Sequence, residues 1–334
     1  MQTVTLAHGN GGRHMRKLID ELIAPLLGDL LIDTQADATT LDPIADNMLP
    51  VITTDGFTVK PLVFPGGDIG SLAIHGTVND LAVAGATPHY LSLAMIIEEG
   101  LPFSTLKRII SSLAKAARQC QIRIATGDTK VVPQGEAGGL YLTTTGLGTR
   151  PSTLKLSPQN ICEGDVILVS GPIGDHGSAV MLARENFGLQ GDILSDSACI
   201  LPLTQALLGL QGLRFMRDPT RGGLATVLHE IQNQSGLGIQ IEETKIPIRE
   251  AVVGVCDILG FDPLYLACEG RVVAVVSEDQ ADEALRRWRA QDAGQAASII
   301  GGFVSSPHHV VLKTPIGGER LLFELEDDPL PRIC

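Results

Sequence analysis

A chain of 334 residues with a formal net charge of −13 and a pI of about 5.0 repels phosphate backbones, which argues against nucleic-acid binding, though not against a local basic pocket for a nucleotide. Apolar residues make up 44% and charged residues 19%, which suits about two well-packed domains and not a disordered chain. No apolar run approaches the roughly 18 residues that span a bilayer, and Met1–Lys17 lacks the apolar core of a secretory leader, so no membrane and a cytoplasmic location are expected.

Periodicity gives the elements in chain order. Met15, Leu18, Ile19, Leu22 and Ile23 share one helical face, and Pro25 marks the expected end. Val51–Thr54 reads as a buried strand closed by the turn-like pair Asp55-Gly56, and His89–Ile97 as another strand. Leu106, Ile109, Ile110, Leu113 and Ala117 make a helical stripe, with Ser104 the expected N-cap. Ile122–Ala125 and Leu140–Thr145 read as strands, so the first half mixes strands and helices in an α/β or α+β class. The chain turns polar around Thr149–Pro158, which places a boundary between domains at 1–150 and 151–318. Asp165–Ser170 opens the second half as a strand. Leu224, Val227, Leu228 and Ile231 form a helical stripe stopped at Gly236. Val272–Val276 is a short buried strand, and Gly301–Gly318 reads as loop-rich with a strand near Val310–Lys313. A last segment, 319–334, ends in a tail that Pro329 and Pro331 keep from being a regular helix and whose final residue is Cys334.

Four groups of residues have chemistry to offer. His8–Arg13, with Gly9, Asn10, Gly11 and Gly12, is a glycine-rich turn before a helix, where backbone N–H groups can approach phosphate. It lacks the lysine–serine pair of a P-loop. Asp55, Asp80, Asp128 and Asp218 stand in glycine-rich or turn contexts, with Lys60, Lys130, Arg217 and Arg221 near three of them. Hard oxygens in such settings suit Mg²⁺ bridging nucleotide phosphates, although each aspartate alone is more simply a turn former. Cys268-Glu269-Gly270 puts a carboxylate beside a glycine turn, as a general base or as a solvated loop acid. Of six cysteines none forms a CxxC pair. Five are expected to be small core residues, and the sixth, Cys334, ends the chain and is too close to the end for prenylation.

These motifs together resemble the HypE family of hydrogenase maturation factors, in the superfamily of aminoimidazole ribonucleotide synthetase and selenophosphate synthetase. The resemblance covers essentially the whole chain. It runs through Ala7–Gly12, Thr54–Gly56, Phe64–Gly67, Asn79-Asp80, Thr126–Lys130, Gly174–Gly177, Asp218–Gly223, Glu269-Gly270 and the terminal Pro331-Arg-Ile-Cys334. The aspartate motifs belong to the superfamily and imply ATP use, while the terminal Pro-Arg-Ile-Cys is what points to HypE. The resemblance implies a two-domain PurM-like fold with ATP in the cleft between the domains. It also implies N-terminal sheets that pair into a dimer barrel, and a mobile tail.

For function, the resemblance implies that Cys334 receives a carbamoyl group from the carbamoyltransferase HypF. The thiocarboxamide is then dehydrated to a thiocyanate at the cost of ATP. The cyanide goes to iron on the HypC–HypD complex, for the nickel–iron hydrogenase site. Lys130 and Glu269 would assist proton removal or polarise the carbonyl. Gly9–Gly12, Asp55, Lys60, Asp80, Asp128, Asp218 and Arg221 would hold the nucleotide, the four aspartates through Mg²⁺. Selenophosphate synthetase, the nearest rival, places its reactive cysteine or selenocysteine near the N-terminal glycine loop, and His8–Arg13 has none. A docking protein without activity would neither hydrolyse ATP nor show ATP-dependent change at Cys334. A thiol redox protein would need a resolving cysteine near Cys334, and the sequence offers none nearby.

Overall fold

In the computed structural model, which describes residues 3–9, 12–31, 38–184 and 192–325, the amphipathic stretch after the glycine-rich turn is helical but does not stop at Pro25. Helix α1 (Arg13–Leu18) passes into a π-turn at Ile19–Ile23 and resumes as α2 (Ala24–Leu27). The Ala24 N–H bonds Ile19 O, five residues back, so Pro25 falls in the first turn of the resumed helix, where its missing donor costs little. Gly28, at φ +55°, ends the helix instead. Asn10, Gly11 and the tail from Glu326 to Cys334 lie outside the described residues.

Among the described residues the chain divides into two units, one from 3–81 and 86–152, the other from 82–85 and 153–325. In the first, β1 (Met48–Phe57) is followed by a small ribbon of β2 (Val63–Phe64) and β3 (Gly67–Asp68). Then come α3 (Ile69–Val83), β4 (Thr87–Glu98), α4 (Phe103–Gln119), β5 (Arg123–Val132) and β6 (Leu140–Pro151). The sheet order is β1-β6-β4-β5, antiparallel except for the β4–β5 pair. Asp55-Gly56 is not a turn. Both residues lie inside β1, opposite Thr144 and Thr143, and the ladder with β6 overrides the local turn preference.

Helix α3 has no readable stripe because it is buried nearly all round. Its N-terminus is capped by Asp68, whose Oδ1 accepts the N–H groups of Gly70 and Ser71 at 2.9 and 3.0 Å. It covers one face of the sheet, with Gly76 against the Phe57 ring and Thr77 packed on Gly146. Helix α4 buries the expected stripe, but its N-cap is Pro102, not Ser104. The N–H groups of Thr105 and Leu106 bond Pro102 O, so Ser104 is already within the first turn. The other sheet face leaves Ile52 71% exposed and Ile96 37% exposed.

The second unit contains β7 (Val166–Val169), α5 (Asp175–Arg184), α6 (Leu201–Leu207), β8 (Leu213–Arg217), α7 (Gly223–Ser235) and β9 (Gly238–Glu242). It continues with α8 (Glu250–Leu259), β10 (Val273–Val276), α9 (Ala281–Arg289), β11 (Ser298–Val304), β12 (Val310–Lys313) and β13 (Glu319–Leu321). Its sheet order is β13-β12-β9-β11-β7-β10-β8, with only β12–β9 parallel among the described pairs. The period-two alternation sends Ile167, Val169, Val273 and Val275 to one core with Leu224, Leu228 and Ile231 of α7. Leu168, Ala274 and Val276 go to a second core with Leu203, Leu207 and Trp288. The strands are therefore buried on both faces, as an α/β layer requires.

Several expectations need correction here. Gly301 and Gly302 are strand residues of β11, not loop. A Cβ on Gly301 would lie 2.0 Å from Gln240 O, so glycine permits the close pairing. Residues 319–321 pair with β12 as β13. Of the cysteines expected in the core, Cys120, Cys256 and Cys268 are buried, but Cys162 is exposed and Cys199 only half-buried. No helix among the described residues is long and apolar enough to cross a membrane.

Candidate active site

In the first unit the candidate groups fall on two faces of the sheet. Thr53 and Asp55 alternate onto the face that α3 covers. Thr53 Oγ1 donates to Asp80 Oδ2 at 2.7 Å, which brings the Asp80 carboxylate from α3 onto the strand two residues from Asp55. Asp80 is thus a helix residue, not a turn former. Lys60 follows β1 and lines a cavity of about 300 Å³ with Thr58, Tyr141 and residues 135–138 of the β5–β6 connection. Glu98 holds that connection in place. Its two carboxylate oxygens accept the N–H groups of Gly135 and Gly139 at 2.6 and 2.7 Å.

Asp128 and Lys130 lie inside β5, where they pair with Ala94 and Ile96 of β4 on the face opposite α3, and both are exposed. Asp128 Oδ1 accepts the Thr129 N–H at 2.8 Å. Gly9 approaches the same strand. A Cβ there would lie 2.6 Å from Val131 N, so only glycine lets the turn reach the strand next to Lys130. Gly12 stands at the N-cap of α1 with no side-chain cap, which leaves that end to backbone groups.

The aspartates therefore do not form one ligand set within this unit. Asp55 and Asp128 stand on the two edge strands, three strand spacings or about 14 Å apart, and on opposite faces. No group of three or more His, Cys, Asp or Glu side chains among the described residues is assembled to hold a metal ion. The donor chemistry fits Mg²⁺ best at Asp55 and Asp80, two hard carboxylates brought to the sheet face that α3 covers.

In the second unit two loops far apart in sequence meet. Asp218 is buried just after β8. The chain then turns through Gly222 and Gly223, both at positive φ (+68° and +61°), into α7. A Cβ on Gly223 would lie 2.5 Å from Leu266 O, so that turn sits directly on the loop leading to Glu269. The Cys268 N–H donates to Pro219 O at 2.9 Å and completes the strap. Asp218 and Glu269 (4% exposed) thus come from adjoining loops, while Arg221 is exposed at the turn between them.

Beneath these loops lies a buried ionic network for which the sequence reading assigned no role. Arg271 Nη2 is 3.6 Å from Asp175 Oδ2, and its Nε is 3.3 Å from Asp196 Oδ2. Its Nε also donates to Pro172 O at 2.8 Å. Arg249 reaches Asp175 at 3.5 Å from a more exposed position. Both carboxylates are fully buried and share Arg271. Burial, with the Asp196 charge adding to it, pushes the Asp175 carboxyl up to about 6, against the pull of the two arginines. Burial likewise raises Asp196. Beside them His176 is buried and its pKa falls to about 3, with Nδ1 2.8 Å from Ser195 Oγ. The Cys268 thiol is pushed well up by burial and accepts the Gly174 N–H at 3.2 Å, so it is a neutral structural group.

Part of this network had a signal in the sequence. Arg271 interrupts an otherwise apolar entry into β10, and Asp175 lies in the Gly174–Gly177 motif. Asp196 had none, since it sits in a polar coil between α5 and α6.

Comparison with known proteins adds to this geometry. Residues 35–149 match the family model of the AIR synthase related protein N-terminal domain, and residues 163–313 that of the C-terminal domain. A carbamoyl dehydratase HypE of Bradyrhizobium diazoefficiens is 47% identical over 99% of this chain and 96% of its own. The crystal structure of a hydrogenase maturation protein HypE in complex with ATP matches with a TM-score of 0.93 at 42% identity, over 99% of this chain and 100% of that one. A crystal structure of a HypE–HypF complex matches with a TM-score of 0.80 at 45% identity, over 83% of this chain and 90% of that one.

Proposed function

The chain belongs to the HypE family of carbamoyl dehydratases, and on that footing we propose that it uses ATP to dehydrate the S-carboxamide on its own C-terminal Cys334 to a thiocyanate. The observation that carries this reading is end-to-end identity to carbamoyl dehydratases, joined to the likeness to a relative solved with ATP.

The chemistry is a dehydration by activation. The thiocarboxamide oxygen is a poor leaving group. It takes the terminal phosphoryl group of ATP, the O–P bond forming as the bond to ADP breaks. It then leaves as phosphate while the nitrogen loses two protons and the C≡N bond forms. Carboxamide and ATP thus become thiocyanate, ADP and phosphate. Glu269 and Lys130 remove those protons or polarise the carbonyl. The backbone of Gly9–Gly12, the Lys60 ammonium, Asp218 and Arg221 bind the nucleotide, and Asp128 contributes from β5. Asp55 and Asp80 would hold Mg²⁺, which would supply neutralisation of the triphosphate charge.

The carbamoyl donor partner is HypF, as the HypE–HypF complex of a relative supports. The acceptor of the cyanide is iron on HypC–HypD, in the cytoplasm, for nickel–iron hydrogenase. Two copies pair through the sheet face that carries exposed Ile52 and Ile96.

Mass spectrometry of the C-terminal peptide tests the reading. Incubation with HypF and carbamoyl phosphate adds a carbamoyl group to Cys334, and Mg²⁺-ATP then removes one water. Cys334→Ala abolishes both changes. Carbamoylation with no water loss on adding ATP reduces Cys334 to a carrier and overturns the dehydratase.

A further inference from the structure

We propose that Asp196 is the positioning residue for Glu269, an inference that rests on the reading of Glu269 as a base. The Asp196 carboxylate spans the turn at Gly270. Its Oδ1 accepts the Glu269 N–H at 3.0 Å, and its Oδ2 lies 3.3 Å from Arg271 Nε, on the far side of that glycine. The coil carrying Asp196 also grips the turn through its backbone. The Ala198 N–H donates to Glu269 O at 3.3 Å. A Cβ on Gly270 would fall 1.9 Å from Asp196 O, so the two segments are in contact with no room for a side chain.

On the other side, Cys268 is pinned through its N–H to Pro219 O and through its sulfur to the Gly174 N–H. Glu269 therefore sits between two fixed neighbours, and the direction in which its side chain leaves the backbone is set by Asp196 Oδ1. Arg271 keeps that carboxylate in place. It is itself held by Asp175 and by Pro172 O. A proton acceptor gains most from such support, because displacement of a reacting group by about 1 Å costs on the order of 100-fold in rate.

The test uses the full chain, carbamoylated on Cys334, with water loss followed after mixing with Mg²⁺-ATP in a single turnover. Asp196→Ala removes the acceptor for the Glu269 N–H and lowers the rate constant roughly 10- to 100-fold. Its carbamoylation and ATP affinity stay as in the parent. Asp196→Asn keeps an oxygen acceptor on the same N–H and retains most of the rate, although it lacks the charge that faces Arg271. Three results overturn the proposal: a parental rate in Asp196→Ala, an Asp196→Asn variant as slow as Asp196→Ala, or loss of ATP binding together with the rate. Glu269→Gln, measured in parallel, separates the two readings. An active Glu269→Gln removes the base and the positioning role together. An inactive Glu269→Gln beside a fully active Asp196→Ala removes the positioning role alone.

Discussion

His176 and Asp175 are neighbours with opposite linkage to pH, and their opposition is one part of the acid response of the second unit, where the raised Asp196 carboxyl acts on the side of Asp175. The buried His176 stays neutral in the folded chain down to about 3, whereas the unfolded chain takes up that proton near 6.5. Its contribution to stability is full above 6.5 and is lost as pH falls towards 3. Asp175 runs the other way. Its folded pKa of about 6 exceeds the unfolded 3.8, so its contribution is full below 3.8 and is lost as pH rises through 6. Between pH 6 and 4 each of the two slopes is about 1.4 kcal/mol per pH unit and they oppose each other. Asp175→Asn therefore loses about 3 kcal/mol relative to the parent between pH 6 and 4, and His176→Asn gains a similar amount. Urea unfolding followed by fluorescence reads this unit alone, because Trp288 is the sole tryptophan and is wholly buried there, its N–H bonded to Leu203 O. Differences from the parent that stay flat for both variants between pH 6 and 4 would refute the reasoning.

Gly9→Ala forces the turn back from β5 by roughly 1 Å. It weakens ATP binding by about tenfold, equivalent to about 1.4 kcal/mol, as isothermal titration would show; an unchanged affinity would detach the turn from the nucleotide. Gly223→Ala meets both a left-handed backbone and the Leu266 carbonyl, and lowers the urea midpoint by the equivalent of about 2–4 kcal/mol on the Trp288 signal. Gly254→Ala is the control. It faces open space within α8, and it raises stability by up to about 1 kcal/mol.

Stripes and short apolar runs were legible where burial is one-sided or the strand is wholly apolar, as in α4, α7 and β10. They failed where neighbours decide. Asp55-Gly56 has the composition of a turn, and only its ladder partners Thr143 and Thr144 make it strand. Helix α3 carries two glycines and no polar face, so no periodicity marks it. At the site, Glu269 and Asp218 were readable as candidates because each stands beside glycines. That their loops touch depends on Gly223 meeting the 264–266 carbonyls, a long-range contact. Asp196 becomes meaningful only when its distance to the Glu269 N–H is known.

The steric closure at Gly9, Gly223 and Gly270 bears on how such sequences diverge. At each position a single added carbon would fall within 2.6 Å of backbone belonging to another segment. Drift is blocked there whether or not the chain still performs its reaction. Glycine kept at these three places through a lineage therefore records the joining of loops, and a copy that has lost activity but still folds should keep them too. The residues whose retention tracks chemistry are the ones with room to change, such as Arg221, exposed at the turn before α7.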